Sequence, residues 1–523
     1  MNRRHWLCVG AGFSAVLTAV LPARAATCES LLGLSLPQVT IRSATTSNSS
    51  LPAVQPFCRV IAAATPTSRS NIGFEVWLPL DNWNGKFSGV GSGGSAGSIA
   101  FASLAAALAL NYAAMATDNG HIGGQWTFAH PPAGDPERVI DFGWRAEHVS
   151  TVAAKAIVEA FYGVAPAHSY FVGCSQGGQK ALMEAQRFPE DYDGIIGGDP
   201  AHNWTHLMLG ELWTGLVSGL RNPANALPQG KLDVLMNAML LACDASDGII
   251  DGIVEDPRTC NFDPSVTRCA AGDAPDCLTD AQLEAVKAIY AGATEPVTGA
   301  QIFPGFAHSS ENALRQVLVG TPGPGGSSFS FFRDGIFANP SWNFRAFDFT
   351  GEPAKTDNTP AANETYGSAL NFNDPDLRPF AARGGKLILY HGWSDPFITP
   401  YSTINYYESV VSLIGGNRAR AAALQRTQDF ARLFMVPGMW HCAGGPGPNT
   451  FDMVTALETW VETGKAPASV LGTKYVGDNP ANQVVLTRPL CAYPRVARYK
   501  GEGDPTDAAS FICGEKWPPG RGN

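Results

Sequence analysis

The feature that most constrains this sequence is a five-residue motif in its first half. Gly173-Cys174-Ser175-Gln176-Gly177 has the pattern G-x-S-x-G. A strand-like run, Tyr170-Val172, precedes it, and a helix-forming stretch, Gln179-Glu184, follows it. A strand, a sharp turn and a helix in this order present a nucleophilic serine at the end of a strand in α/β-hydrolases, and the flanking glycines relieve backbone crowding at the turn. The sequence therefore predicts an α/β fold of the α/β-hydrolase type, with Ser175 as the nucleophile.

A serine hydroxyl needs a base that takes its proton and an acid that orients this base. In α/β-hydrolases the order along the chain is Ser, then Asp or Glu, then His, each after a strand. Here the strand-like Leu387-Tyr390 leads to Asp395, and Leu433-Val436 leads to His441. We therefore predict that Asp395 orients His441 and that His441 is the general base. Four rival histidines are interpreted as structural or as pocket walls: His121, His148, His202 and His391.

Each of two predicted catalytic residues has a cysteine beside it. Cys174 precedes Ser175, and Cys442 follows His441. If the triad forms, these two cysteines are brought close enough to bridge, and a disulfide between them would join the nucleophile to the base. Two buried thiols are the alternative.

The tetrahedral intermediate of acyl transfer also needs hydrogen-bond donors for its oxyanion. One donor is expected to be the backbone N–H of Gln176, the residue after the nucleophile, and the other an N–H from an early loop. The glycine-rich run 91–97, after the strand-like Lys86-Val90, is this loop. We choose Gly94 as the second donor, with Gly93 as the alternative.

The amino terminus predicts export. Residues 1–25 combine Arg3 and Arg4 with an apolar run and an Ala23-Arg24-Ala25 cleavage site, as in a secretory signal peptide. The Arg-Arg pair leaves the general secretory and twin-arginine routes open, and an uncleaved anchor is the alternative. The rest of the chain has ten cysteines, enough for five disulfides in an oxidising compartment. We predict a periplasmic or secreted protein with no membrane association after cleavage.

Composition and periodicity suggest how the chain is organised. A net charge of −10 argues against a nucleic-acid partner. Strand-like and helical stretches alternate from about Asn71 to Ala201 and again late in the chain, the pattern of a parallel α/β sheet, so we assign residues 26–201 and 384–523 to one catalytic domain. Residues 202–383 interrupt it with four cysteines, an Asp-rich loop and a Gly/Pro-rich run. We interpret this stretch as a large inserted lid domain.

The Asp-rich loop has the composition of a calcium site. Residues 243–256 contain five acidic side chains and two glycines, although not at EF-hand spacing. Crowded oxygen ligands on a turning backbone suit Ca²⁺, which offsets their mutual repulsion. The ion would be structural, since the triad needs no metal. A solvated acidic turn is the alternative.

Cys174-Ser175, Asp395 and His441-Cys442 together resemble the CS-D-HC constellation of the tannase/feruloyl esterase family, one branch of which hydrolyses mono(2-hydroxyethyl) terephthalate. The resemblance covers nearly the whole mature chain. It includes Asn111-Tyr112, Thr117-His121, Met183-Pro189 with Asp193-Gly194, and Pro437-Gly438.

The resemblance implies further residue roles. The remaining disulfides would be Cys28–Cys58, Cys243–Cys260, Cys269–Cys277 and Cys491–Cys513. The calcium ligands would be the carboxylates of Asp244, Asp247 and Asp251 with the backbone carbonyls of Ile249 and Ile253.

Substrates implied by the resemblance are small esters of hydroxycinnamic or gallic acid and, in one branch, the terephthalate monoester. Residues 329–349 contain eight aromatic side chains interleaved with two arginines, which suits a flat aromatic acid but equally suits a lid core. Gln176 departs from the acidic or small residues expected at its position. The candidate substrate contacts are Arg333, Arg345, Trp342 and His391.

The sequence as a whole predicts an exported, calcium-containing serine carboxylesterase that acts on aromatic acid esters through an acyl-enzyme. One alternative is a mono(2-hydroxyethyl) terephthalate hydrolase. The other, from a different class, is a calcium-stabilised binding protein on an inactive hydrolase scaffold. The sequence leaves the oligomeric state open.

Overall fold

The computed structural model describes residues 26–47, 55–318 and 327–515. The predicted export signal lies outside the described residues, as does most of the Gly/Pro-rich run in the predicted lid. In chain order the strands are β1 Val39–Ser47, β2 Phe57–Ala64, β3 Ile72–Pro79, β4 Lys86–Val90, β5 Ala113–Thr117, β6 His168–Cys174, β7 Gly194–Gly198, β8 Gly292–Thr294, β9 Gln301–Pro304, β10 Pro360–Ala361, β11 Glu364–Thr365, β12 Lys386–Gly392, β13 Ala431–Val436, β14 Thr450–Phe451, β15 Ser469–Tyr475, β16 Val484–Cys491, β17 Val496–Tyr499 and β18 Phe511–Gly514.

Nine of these strands form one twisted sheet in the order β1-β2-β3-β5-β4-β6-β7-β12-β13. The first three strands and β5 pair antiparallel, whereas β5, β4, β6, β7, β12 and β13 pair parallel. Every residue of β5 and β7 is buried, as expected for parallel strands covered on both faces. The predicted α/β architecture is confirmed.

Helices cover both faces of this sheet. The α-helices are α1 Phe101–Ala109, α2 Glu137–Ile140, α3 Ala146–Tyr162, α4 Gln176–Arg187, α5 Trp204–Gly215, α6 Gln229–Cys243, α7 Asp280–Ala291, α8 Arg315–Leu318, α9 Ser328–Ser330, α10 Glu352–Asp357, α11 Tyr366–Leu370, α12 Arg378–Ala382, α13 Pro400–Gly415, α14 Arg420–Gln428 and α15 Met453–Thr463. Helix α4 packs on β6 and β7, and α15 packs on β7 and β12.

A long insertion separates two neighbouring strands of the sheet. β7 ends at Gly198, and its parallel partner β12 begins at Lys386. The described residues between these strands add no strand to the central sheet. They pack around an aromatic core that includes Trp204, Phe331 and Tyr366. The inserted segment therefore extends from the carboxyl ends of the parallel strands, the sheet edge at which α/β proteins bind ligands.

Five disulfides join the cysteines of the described chain. Their pairing is Cys28–Cys58, Cys174–Cys442, Cys243–Cys260, Cys269–Cys277 and Cys491–Cys513. The Cys174–Cys442 disulfide predicted from the positions beside Ser175 and His441 is present. The other four pairs are those that the family resemblance implies. Within the described ranges, no helix has the length and apolar character needed to cross a membrane.

Candidate active site

Ser175 lies on a sharp turn between β6 and α4. Its backbone has φ 66° and ψ −118°, a strained conformation of the kind that persists at functional sites. A Cβ atom at Gly173 would lie 2.4 Å from the carbonyl oxygen of Gly177, so glycine is required there. The N–H of Ser175 donates to the carbonyl of Gly198 at 2.9 Å, which ties the turn to β7. The strand–turn–helix predicted from the motif is thus present.

The predicted acid and base meet beside this turn. Nδ1 of His441 is 2.6 Å from Oδ2 of Asp395. Oδ1 of the fully buried Asp395 accepts the backbone N–H groups of Phe397 and Ile398 at 2.8 and 3.0 Å. Burial opposes ionisation of Asp395, yet the adjacent imidazoles hold its pKa below its usual range. Burial acts to lower the pKa of His441, but the charge and hydrogen bond of Asp395 outweigh it and raise that pKa to about 9.

A second buried carboxylate, Asp199, lies under the same site. Its Oδ2 accepts the N–H of Cys442 at 2.5 Å, and its Oδ1 accepts the N–H of Gly392 at 2.8 Å. Asp199 therefore joins the end of β7 to the loop that carries His441. Asp199 and Cys442 both have positive φ, 36° and 60°. The sequence analysis missed Asp199, although its place three residues after the apolar run Ile195-Ile196 was an available signal.

His391 occupies the space between the two carboxylates. It is fully buried, with Nδ1 2.7 Å from Oγ1 of Thr403 and Nε2 2.9 Å from the carbonyl oxygen of Ile398. Its Nε2 lies 3.3 Å from Asp395 and 3.6 Å from Asp199. Burial opposes its protonation, but the charge of Asp199 and the hydrogen bond and charge of Asp395 raise the pKa of His391. Its contacts place it beneath the candidate triad, between Asp199 and Asp395.

The predicted oxyanion loop lies against the nucleophile turn. The N–H of Gly177 donates to the carbonyl of Ser92 at 2.9 Å, and Ser92 Oγ donates to the side chain of Gln176 at 2.8 Å. Asn119 in turn donates to Ser92 Oγ at 2.9 Å and to the carbonyl of Ala96 at 3.0 Å. Gln176 is the first residue of α4, so its N–H is one of those that a helix leaves without an intrahelical acceptor.

A cavity of about 230 Å³ contains the candidate site. Its described lining includes Gly94, Ser175 and His441, with an apolar wall and one acid, Glu211. Gly93 instead lines a larger cavity of about 440 Å³ on the other side of the loop, which does not include Ser175. We therefore assign the candidate chemistry to the smaller cavity, and the position of Gly94 favours it over Gly93 as the second donor.

The four predicted substrate contacts do not line this cavity in the described part of the chain. Arg333 forms a two-point ion pair with Asp334 at 2.6 and 2.7 Å, and Arg345 donates to the carbonyl of Leu220 at 2.9 Å near the surface. Trp342 packs among the aromatic side chains of the insertion, and His391 lies beneath the triad. The four contacts therefore stay predictions, and the aromatic segment 329–349 packs mainly as core.

The carboxylates of the acidic loop accept hydrogen bonds from backbone N–H groups of the same loop. Asp244 accepts the N–H of Gly252 at 3.0 Å, and Asp251 pairs with the buried Arg488 at 2.8 Å. Oδ2 of the buried Asp247 has no hydrogen-bond partner within the described ranges. The Cys243–Cys260 disulfide closes the segment. The oxygens of the three aspartates are not gathered within 4.8 Å of one another, so a bound ion would draw the loop together.

The sheet, the serine turn after β6 and the Asp and His loops after β12 and β13 define the chain as an α/β-hydrolase. The family model described as tannase and feruloyl esterase matches residues 58–514. An esterase of Xanthomonas campestris pv. campestris is 40% identical, over 96% of this chain and 93% of its own length. The mono(2-hydroxyethyl) terephthalate hydrolase of Piscinibacter sakaiensis is 35% identical, over 84% and 81% respectively. The crystal structure of feruloyl esterase B from Aspergillus oryzae superposes with a TM-score of 0.83 at 28% identity, covering 93% of this chain and 99% of that one.

The chain therefore belongs to the tannase and feruloyl esterase family of carboxylic ester hydrolases. The family resemblance predicted from the CS-D-HC residues is confirmed.

Proposed function

We propose that this protein hydrolyses small esters of aromatic acids through an acyl-enzyme on Ser175. The observation that carries the proposal is that Ser175 and His441 line one cavity while the imidazole of His441 is hydrogen-bonded to Asp395. Asp395 stabilises the imidazolium that forms when His441 takes the serine proton. The charge and hydrogen bond of Asp395 raise the pKa of His441, which stabilises the protonated imidazole that forms in this step.

The chemical steps follow from these positions. Ser175 Oγ attacks the ester carbonyl while His441 takes its proton, and the oxyanion receives hydrogen bonds from the N–H groups of Gln176 and Gly94. The C–O bond to the alcohol then breaks, and the alcohol leaves with the proton from His441. Water, deprotonated by His441, attacks the acyl-enzyme and releases the acid.

An aromatic acyl group suits the apolar wall of the cavity, which includes Trp204, Leu207 and Phe397. Terephthalate monoester hydrolysis remains the second candidate, because of the 35% identity to a terephthalate monoester hydrolase. The cavity favours this second candidate less, because no Lys or Arg is among the described residues that line the cavity. Residues 319–326 contain no Lys or Arg either. A free carboxylate on the ring would lack a charged partner.

Substrate ranking tests the proposal. We expect kcat/KM for methyl ferulate or methyl gallate to exceed that for mono(2-hydroxyethyl) terephthalate by about tenfold or more, because burying an unpaired carboxylate is costly. The measurement is kcat/KM of the purified mature protein on the three esters. The reverse ranking would assign the chain to the second candidate, and absence of activity on all three would overturn the proposed function.

We also propose that the acidic loop binds Ca²⁺ as a structural ion. The carboxylates of Asp244, Asp247 and Asp251 with the carbonyls of Ile249 and Ile253 would hold it, and they offer the hard oxygen ligands that Ca²⁺ takes. The unpartnered oxygen of Asp247 supports this proposal. When bound, the ion neutralises crowded negative charge; it takes no part in the chemistry at Ser175.

Removal of calcium is expected to lower stability without changing the triad. At free Ca²⁺ about 100-fold above its Kd, binding to the native state alone contributes about 2.7 kcal/mol to the free energy of unfolding. The measurement is Tm with Ca²⁺ and with EDTA for wild type, Asp247→Asn and the exposed control Asp233→Asn. The wild type and the control should lose stability in EDTA, whereas Asp247→Asn should show little difference. Equal Tm values for the wild type in both buffers would contradict calcium binding and favour the alternative, a solvated acidic turn.

Export to the periplasm or the medium is the third part of the proposal. Five disulfides are typical of proteins that fold in an oxidising compartment, and they support the signal predicted at residues 1–25.

A further inference from the structure

Helix α5 presents one acid on an otherwise apolar stripe. The helix starts six residues after β7 ends, so its first turns lie near the nucleophile turn. Trp204, Leu207, Met208 and Glu211 recur at the i, i+3, i+4 and i+7 spacing of one helix face, and all four line the cavity that contains Ser175 and His441. Three of these side chains are apolar and the fourth is a carboxyl.

An acid in this position needs a physical reason, because burying a carboxylate without a partner is costly. Oε2 of Glu211 accepts the backbone N–H of Ser328 at 3.0 Å. No Lys or Arg is found in the described lining of the cavity, and His441 is the basic group there whose charge acts on Glu211. Burial raises the pKa of Glu211 to about 8, against the opposing effects of the Ser328 and Ser327 N–H groups and of His441. The carboxyl group is therefore protonated more readily than an ordinary glutamate, and in either protonation state it can accept a hydrogen bond from a hydroxyl.

We propose that Glu211 is a specificity-determining residue that hydrogen-bonds a ring hydroxyl of the aromatic acyl group bound next to Ser175. The inference rests on the proposed function and deepens it by assigning one residue of this chain to the recognition of the ring hydroxyl. A neutral carboxyl group has one O–H donor and acceptor lone pairs, and a phenol hydroxyl offers the complementary donor and acceptor. A site with a buried polar group rejects an analogue that lacks the matching hydroxyl, because the group is then left unpaired.

Glu211 also holds the segment that begins at Ser327, so a purely structural role has to be separated from substrate recognition. Loss of the hydrogen bond between Glu211 and Ser328 would change the shape of the cavity and so lower kcat/KM for every aromatic ester by a similar factor. Loss of the hydroxyl contact would affect only substrates that carry the hydroxyl. The ratio of kcat/KM between two esters that differ only in this group therefore distinguishes the two roles.

The test compares methyl p-coumarate with methyl cinnamate in four proteins. For the wild type we expect kcat/KM to favour the p-coumarate by about tenfold or more. Glu211→Met fills a similar volume without a polar atom, and its ratio should fall to about 1. Glu211→Gln keeps an acceptor for Ser328 and a donor for the phenol, and should retain the preference. Met208→Leu, one turn away on the same face, should change both substrates by the same factor and keep the ratio.

The outcomes separate the inference from the proposed function. A wild-type ratio near 1, or a ratio that Glu211→Met leaves unchanged, overturns the role of Glu211 while the esterase assignment stands. If the wild type hydrolyses neither ester, the proposed function fails and the inference falls with it. A fall in kcat/KM on both esters at constant ratio in Glu211→Met assigns the residue to holding the Ser327 segment only.

Discussion

Replacement of Ser175 by alanine is expected to lower kcat on methyl ferulate by about 10⁴- to 10⁶-fold. Without Oγ no acyl-enzyme forms, and His441 and Asp395 have no nucleophile to activate. The remaining oxyanion donors and the cavity still bind the ester, so KM should change far less than kcat. The fold should persist, since the variant removes one oxygen atom and leaves the backbone of the turn in place.

The measurement is kcat and KM for wild type and Ser175→Ala, together with fluorophosphonate labelling of both. Ser103→Ala is the matched control: it removes the same atom from α1, in the wall of the larger cavity, outside the candidate site. The control should keep its labelling and its activity. A Ser175→Ala protein with more than about 1% of wild-type kcat would remove Ser175 from the reaction. A wild type with neither activity nor labelling at Ser175 would favour an inactive scaffold.

The second large effect is expected at the Cys174–Cys442 disulfide. This bond closes a loop with a sequence separation of 268 residues. In the chain-entropy model, its loss as Cys174→Ala/Cys442→Ala lowers the free energy of unfolding by about 5.5 kcal/mol. Activity should fall as well, since Cys174 precedes the nucleophile and the N–H of Cys442 is held by Asp199.

Cys269→Ala/Cys277→Ala is the control for this variant. Its bond closes a loop with a separation of only 8 residues in the insertion, so the same model gives a loss of about 2.5 kcal/mol. Denaturant unfolding and kcat/KM measured on both variants check the expectation. Equal losses of stability in the two variants, or full activity in the first, would contradict the view that the Cys174–Cys442 bond holds the nucleophile and the base together.

The sequence was sufficient for the features that depend on local pattern and chain order. The G-x-S-x-G turn between a strand and a helix placed Ser175, because the backbone strain at such a turn restricts the residues on both sides of it. The order of the loops that follow the strands then identified Asp395 and His441, because the carboxyl ends of parallel strands lie at one edge of a sheet. The Cys174–Cys442 pair was predicted because these cysteines stand next to Ser175 and His441 in the sequence.

The insertion could not be predicted in the same way. Its aromatic run 329–349 has no strict helical or strand period, so the sequence left open whether Arg333, Arg345 and Trp342 face a substrate or the core. In the structure, Arg333 is held by the adjacent Asp334 and Trp342 packs among aromatic rings. The direction of each side chain depended on neighbours that are distant along the chain.

Two acids show what the sequence determined and what only the tertiary structure decided. Local pattern and strand order identified the residues of the candidate triad, because those residues stand at fixed places relative to strands. Asp199 and Glu211 are ordinary acids in the sequence. Asp199 is important because it is buried close to His441, and Glu211 because it lines the cavity. A carboxyl group gains its function from the charges and donors packed around it, and in this chain those groups come from segments more than 100 residues away, such as Gly392, Cys442 and Ser328.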